Sequence, residues 1–314
     1  MRVATIDIGT NSVLLLIAES EGGALRPIVE RATVTRLGEG VDRSRRLLAE
    51  ACARTLACLA EYASVLREHS VSRLDVVGTS AMRDASGGED FIARAKQLLG
   101  VAPRVVDGNE EARLTFIGAL SGLAISGRIT VFDIGGGSTE IVSGEVASGP
   151  PVVSAAVSLN VGSVRLFERH VRSDPPTAAE MQNVRRDIVE ALGHAPRFEV
   201  GTTLVGVAGT VTQLVALELG LEHYDAARVH GAELERAAVD RLAARLATLT
   251  LAERRALHGM EPSRADVIVV GSAIASSVLE WSGASKLLVS DRGVRWGLAT
   301  ELASLIAAQP SSNS

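Results

Sequence analysis

Ala4-Thr5-Ile6-Asp7-Ile8-Gly9-Thr10-Asn11-Ser12, close to the amino terminus, is answered in mid-chain by Thr130-Val131-Phe132-Asp133-Ile134-Gly135-Gly136-Gly137-Ser138. Each copy is an apolar, β-branched run, an Asp near its end, then glycine and a hydroxyl residue. A strand followed by a glycine-rich turn lets backbone N–H groups converge on a phosphate, because glycine accepts positive φ and leaves room for close approach. The Asp offers hard oxygen to Mg²⁺. One such loop reads as turn chemistry; two, each after an apolar strand, predict phosphate binding. Loops facing each other would grip a phosphate chain from both sides, which predicts a duplicated fold with its site in the cleft. Gly206-Val207-Ala208-Gly209-Thr210, after a third apolar strand, adds a candidate contact, against a plain strand–helix turn. There is no dinucleotide fingerprint and no Walker A loop.

Working outward, residues 3–8, 13–18 and 26–34 read as a meander turning at Glu21-Gly22-Gly23. Apolar residues at three- and four-residue intervals predict a helix from Leu47 to Glu68. A strand at 74–79, a helix at 89–99, a strand at 104–106 and a helix at 110–123 capped by Asn109 complete the first half. The second half restarts in the same order, with strands at 129–134, 139–144 and 152–159 and a helix at 164–171. Thr177 and Glu180 stand in capping-box register. A strand at 203–208, helices at 213–219, 233–247, 251–258 and 263–281, a strand at 286–290 and a helix at 294–308 follow. Residues 309–314 read as a polar, disordered tail. The pattern is α/β, with two mixed-sheet domains at 1–125 and 126–314, a boundary near Gly122–Gly127, and a final helix able to pack back on the first domain.

The 314 residues suffice for two cores. Net charge is −5 and aromatic content 3%, against general nucleic-acid binding and base-stacking platforms. Lys96 and Lys286 are the only lysines among 32 basic residues, so arginine abundance alone says nothing about phosphate recognition. Cys52 and Cys58 have no metal or disulfide spacing and read as reduced thiols. The chain enters its first strand at Arg2, leaving no room for a signal peptide. Its longest apolar stretch, Val267 to Leu279, is too short to span a bilayer. These features predict a cytoplasmic protein with no membrane and no nucleic-acid partner. Glu110-Glu111 opens a helix, where acidic residues are favoured by the dipole whether or not one is a base. Arg83 and Arg31 have surface alternatives of the same kind.

Asp7-Ile8-Gly9-Thr10-Asn11-Ser12, Thr79-Ser80-Ala81-Met82-Arg83, Gly108-Asn109-Glu110-Glu111-Ala112-Arg113 and Asp133-Ile134-Gly135-Gly136-Gly137-Ser138-Thr139-Glu140 occur in that order. Val229-His230-Gly231, Arg264-Ala265-Asp266 and Ser290-Asp291-Arg292-Gly293-Val294-Arg295-Trp296-Gly297 follow. In these motifs the chain closely resembles the exopolyphosphatase/guanosine pentaphosphate phosphohydrolase family, over nearly its whole length. The one departure noted is Trp296, where the family usually carries Glu. The resemblance implies two actin-like (ribonuclease H-like) domains of the sugar kinase, heat-shock protein 70 and actin superfamily, in a short two-domain form. It implies Glu111 as the base that activates water, Asp133 and Glu140 on Mg²⁺ or another divalent cation, and Asp7 as a further metal-side carboxylate. Thr10, Asn11, Ser12, Gly135, Gly136, Gly137, Ser138, Gly209 and Thr210 would hold phosphates. Arg83 would clamp them, with Arg31 and Arg264 as helpers. The implied substrates are inorganic polyphosphate and guanosine pentaphosphate, and the implied assembly a homodimer. An ATP-dependent kinase or ATPase of the same superfamily and a non-enzymatic sensor remain as alternatives.

Overall fold

The computed structural model describes residues 1–22, 24–147, 149–199 and 201–307. Gly23 of the first hairpin turn and the polar tail at 309–314 lie outside them. The chain divides into two compact units, Met1–Ser121 joined by the chain from Val294 onward, and Gly122–Gly293.

In the first unit β1 (Arg2–Ile8), β2 (Ser12–Glu21) and β3 (Ala24–Val34) form the antiparallel meander. On the other side β1 pairs in parallel with β4 (Arg73–Gly78), and β4 with β5 (Arg104–Val105), giving the order β3-β2-β1-β4-β5. Strand alternation decides which side chains meet which helices. Ala4, Ile6 and Ile8 share a core with Leu56, Leu59 and Tyr62, which lie on the long helix Ala49–Glu68. That helix is α2, following the one-turn α1 (Val41–Ser44). Phe91 of α4 (Glu89–Leu99), after the short α3 (Ser80–Asp84), closes this face. Val3, Leu16 and Ala18 point the opposite way, onto Trp296 and Ala299 of the closing helix Val294–Ala307. α5 (Gly108–Leu120) contributes Leu114 beside Leu298. β1 is therefore buried on both faces, which is why it reads as an apolar run broken only by Thr5 and Asp7.

The closing helix is bound to this unit by polar contacts as well. The Thr5 hydroxyl donates to the Arg295 carbonyl at 2.8 Å, and Glu30 Oε2 accepts from Arg295 Nη2 at 2.7 Å and Trp296 Nε1 at 3.1 Å. Trp296, the departure noted from sequence, is thus a fully buried core residue with its N–H satisfied.

The second unit repeats the plan. β6 (Gly127–Ile134), β7 (Thr139–Val146) and β8 (Val152–Leu159) form a meander, and β6 pairs in parallel with β9 (Thr203–Val207). β11 (Lys286–Val289) pairs in parallel with β9, and β10 (Glu233–Glu235) adds an antiparallel edge. The order β10-β11-β9-β6-β7-β8 contains the five-strand arrangement of the first sheet. Helices α6 (Ser163–His170), α7 (Ala178–Leu192), α8 (Ala208–Glu218), α9 (Ala226–Val229), α10 (Arg236–Thr248), α11 (Leu251–Arg255) and α12 (Ile268–Ser282) complete it. Phe132 and Ile134 share the core with Val211 and Leu214 of α8 and Ile274 and Val278 of α12. The α/β class with two mixed sheets is as the sequence indicated.

Several boundaries differ, each for a local reason. Asp107, not Asn109, caps α5, its side chain accepting from the Glu110 amide at 2.8 Å. The expected helix at 233–247 opens as β10, because Leu234 between two exposed glutamates alternates as an edge strand does. The expected helix at 263–281 breaks into a 3₁₀ turn, Pro262–Arg264, and α12. α8 starts at Ala208, five residues before expectation, so Gly209 and Thr210 fall in its first turn. The Thr177–Glu180 capping box forms in both directions.

Two expected outcomes follow from backbone geometry. A Cβ on Gly297 of the closing helix would stand 2.0 Å from the Leu114 carbonyl oxygen of α5, so Gly297→Ala is expected to cost about 3 kcal/mol through overpacking. Chemical denaturation measures it, and an unchanged midpoint would refute the close approach. Ala208 opens α8 at φ 71°, a region that L-residues enter at a cost of roughly 1–2 kcal/mol. Ala208→Gly is therefore expected to raise the melting temperature, and a lower one would count against strain at this position.

Candidate active site

The β1–β2 turn is closed by the Gly9 amide donating to the Ser12 carbonyl at 3.0 Å. A Cβ on Gly9 would stand 3.0 Å from that same oxygen, and Gly9 does not occupy the left-handed region. Glycine is needed here for space, which corrects the expectation of positive φ. The segment after β3 pins the turn from behind. The Asn11 carbonyl accepts from the Thr35 and Arg36 amides at 3.1 and 3.0 Å, and the Thr10 carbonyl from Gly38 at 2.9 Å. Gly38 has no room for a Cβ, which would fall 2.3 Å from Thr10 Cγ2. The carbonyls are thus committed to protein. Among the described residues the Thr10 and Asn11 amides donate to no backbone oxygen, and the buried Thr10 Oγ1 and Asn11 Oδ1 atoms have no hydrogen-bond partner. Leaving buried polar groups unmatched costs about 1–3 kcal/mol each, and such groups in a native fold call for an external partner.

At the neighbouring strand end, the Thr79 amide donates to the Ile8 carbonyl at 3.2 Å, fixing the start of α3 beside β1. Arg83 on α3 sends Nη1 to Glu111 Oε2 at 2.7 Å and to the Val106 carbonyl at 3.1 Å. The two acidic residues at the start of α5 divide their roles. Glu110 is half-buried and pairs with Arg104. Glu111 is 7% exposed and meets Arg83. Guanidinium and helix amino terminus both stabilise its negative charge.

The β6–β7 turn has the same closure: the Gly135 amide donates to the Ser138 carbonyl at 3.0 Å, and a Cβ on Gly135 would lie 3.1 Å from that oxygen. Here α6 takes up the carbonyls. Gly135 accepts from the Ser163 amide at 3.0 Å, Gly136 from Val164 and Arg165 at 2.9 and 3.0 Å, and Gly137 from Arg165 Nε at 2.5 Å. Gly162 makes this possible, since a Cβ there would sit 2.5 Å from the Gly136 and Gly137 carbonyl carbons. Among the described residues the Gly136 and Gly137 amides donate to no backbone oxygen, as in an anion-binding nest.

Asp133 and Glu140 are direct cross-strand partners, and Glu140 is in turn opposite Ser158, whose hydroxyl donates to Oε1 at 2.6 Å. Directly opposite residues share a sheet face with Cβ atoms about 5 Å apart, so the two carboxylates form a pair. In the first unit Asp7 faces Leu14 instead, and the duplication stops short of the carboxylate pair. A Cβ on Gly293 would lie 3.6 Å from Asp133 Oδ2, so the chain after β11 passes this carboxylate with no side chain in the way. Among the described residues no three His, Cys, Asp or Glu gather as a metal cluster.

At the third loop Gly209 carries the Arg264 guanidinium against its backbone, since a Cβ would fall 2.1 Å from Nη1. Arg264 is half-buried as a residue with its guanidinium desolvated, which pulls its pKa below the usual arginine value. Thr210 is buried where Gly271 leaves it room. Arg31 lies exposed on edge strand β3, its carbonyl accepting from Arg295 Nη1 at 3.4 Å.

In the first unit, then, Asp7, Thr10, Asn11, Ser12, Arg83 and Glu111 come at the ends of β1 and β4 and the start of α5. In the second, Asp133, Glu140 and Gly135–Ser138 come at one hairpin, and Gly209, Thr210 and Arg264 at the end of adjacent β9. The sequence reading gave no role to Gly38 and Gly162, which admit the loop residues, or to Ser158, which holds Glu140. For the first two, only their being glycine hinted at it.

Known proteins resemble the chain along its whole length. The chain is 40% identical to Exopolyphosphatase 2 of Mycobacterium tuberculosis over 96% of its own length and 98% of that protein. It is 30% identical to a guanosine-5'-triphosphate,3'-diphosphate pyrophosphatase of Vibrio atlanticus, covering 95% of this chain and 59% of the relative. The crystal structure of the Aquifex aeolicus Ppx/GppA family member superposes with a TM-score of 0.82 at 33% identity, over 99% of both chains. The Ppx/GppA phosphatase family model matches residues 16–305, and the chain belongs to that family.

Proposed function

We propose that this protein is an exopolyphosphatase that releases terminal orthophosphate from linear polyphosphate by attack of water. The whole-length 40% identity to Exopolyphosphatase 2 carries the reading. The chemistry of the residues supports it. Phosphoryl transfer to water requires positioning and charge neutralisation more than covalent help. Glu111 accepts the proton of the attacking water, the new P–O bond forms as the bridging P–O bond breaks, and the shortened chain departs as an anion. Arg83, already hydrogen-bonded to Glu111, orients the base and offers positive charge to the reacting phosphate. The amides of Thr10, Asn11, Gly136 and Gly137, with the hydroxyls of Ser12 and Ser138, receive phosphate oxygens. Gly135 shapes the second loop, Gly209 and Thr210 extend the phosphate contacts, and Arg264 and Arg31 remain candidate helpers.

Asp133 and Glu140 fit a divalent cation of the Mg²⁺ kind, which is commonly held by one or two carboxylates together with substrate phosphates and water. Asp7 is the third carboxylate assigned to it. Bound there, the cation neutralises charge on the phosphate oxygens.

A second activity, hydrolysis of guanosine pentaphosphate to the tetraphosphate, is favoured by the Vibrio relative and uses the same terminal anhydride. Family membership favours water over a kinase acceptor. No helix is long and apolar enough to cross a membrane among the described residues. The free cysteines Cys52 and Cys58 suit a reducing, cytoplasmic setting. A homodimer without nucleic acid completes the reading.

Glu111→Gln is expected to lower kcat on polyphosphate by about 10²–10⁴-fold with little change in melting temperature. Phosphate release near the wild-type rate would remove Glu111 from the role of base. Asp133→Asn is expected to raise the Mg²⁺ concentration needed for half-maximal activity by at least about tenfold, as loss of one charged ligand should. An unchanged Mg²⁺ titration would refute the cation assignment.

A further inference from the structure

Unit 1 holds several of its arginines in ion pairs near the surface. Arg26 pairs with Glu19, Arg54 with Glu39, Arg104 with Glu110 and Arg113 with Glu301. Arg43, Arg45 and Arg46 are distinguished by standing together within four residues. All three are exposed, and among the described residues none forms an ion pair. The nearby acids are engaged elsewhere: Glu39 holds Arg54, and Asp42 has a partner of its own. Three unneutralised guanidinium groups within four residues make a local positive patch on a chain whose net charge is −5.

The patch is rigidly mounted. Arg45 is fixed in the left-handed region at φ 56°, with its amide donating to the Val41 carbonyl at 2.9 Å. The Ser44 hydroxyl donates to the Gly40 and Arg46 carbonyls at 2.8 and 3.1 Å. The mounting also leads to the proposed chemistry. The Ser86 amide and hydroxyl both donate to the Arg45 carbonyl, at 2.8 and 3.0 Å, and Arg46 and Ser86 form a parallel bridge. Ser86 follows α3, the helix whose Arg83 holds Glu111.

We propose that Arg43, Arg45 and Arg46 are a distal subsite for the phosphate chain of extended polyphosphate, beyond the terminal phosphates handled near Arg83. The inference rests on the exopolyphosphatase reading and goes beyond it by assigning a chain-length determinant. An extended polyanion suits the patch better than a single phosphate, because three guanidinium groups on one turn present repeated charge and no enclosed pocket. Each exposed contact is weak, so the effect appears only when several phosphates engage at once.

The test compares kcat/KM on long-chain polyphosphate with that on tripolyphosphate. In the triple variant Arg43→Gln, Arg45→Gln, Arg46→Gln the long-to-short ratio is expected to fall about tenfold, the sum of three exposed contacts. The fall should shrink on the order of 1 M salt, where the screening length is about 3 Å. The lysine triple variant at the same positions should keep most of the ratio. A matched control, Arg67→Gln, Arg73→Gln, Arg94→Gln, removes the same charge from other exposed sites of the unit and should leave the ratio alone. Single Arg43→Gln and Arg46→Gln variants, each expected to lower the ratio about twofold, serve if the triple variant does not fold.

An unchanged ratio, or an equal fall in the control, overturns the subsite while leaving the exopolyphosphatase reading intact. Loss of single-stranded oligonucleotide binding with no change in the polyphosphate ratio overturns it in favour of a nucleic-acid contact. A wild-type protein that releases phosphate from neither substrate brings down both readings.

Discussion

The candidate site depends on one backbone constraint used twice. In each hairpin a glycine amide bonds back to the carbonyl three residues on, and the loop carbonyls are then taken up by flanking protein. Once the carbonyls are committed, the peptide planes are fixed and the amides between them point away from those partners. Isolating these N–H groups costs stability, which a bound anion would offset. The flanking segments are unrelated: the stretch after β3 does this work in the first unit, and the start of α6 in the second. Equivalent loop geometry is thus reached by different supports.

The duplication is complete in topology and incomplete in chemistry. Both sheets place their loop after the first strand of a meander, yet Asp7 faces Leu14 where Asp133 faces Glu140. The second unit therefore carries the carboxylate pair suited to a cation, while the first carries the Arg83–Glu111 pair suited to moving a proton.

Much of this was legible in the residues. The repeated strand–Asp–Gly pattern marked both loops, and three- and four-residue periodicity marked the long helix. What the sequence could not show was direction. Glu110 and Glu111 are equivalent to any spacing rule, and only the turn of α5 sends one to Arg104 at the surface and the other inward to Arg83. Asn109 resembles a helix cap as well as Asp107 does, and the choice fell to the side chain that reaches the amide three positions on. One-turn helices such as α1 and α9 are too short for any period to register. The supporting glycines escaped notice because their function is to be small beside residues distant in sequence.

The closing helix gives the chain an order of assembly. Thr5 bonds to Arg295, and Glu30 to Arg295 and Trp296, across more than two hundred intervening residues. A ribosome has therefore released the entire second unit before the first can bury the face of β1 that carries Val3 and Thr5. The amino-terminal strands must wait, half-covered, while the inserted unit folds. Loss of the last two dozen residues would thus unravel the beginning of the molecule.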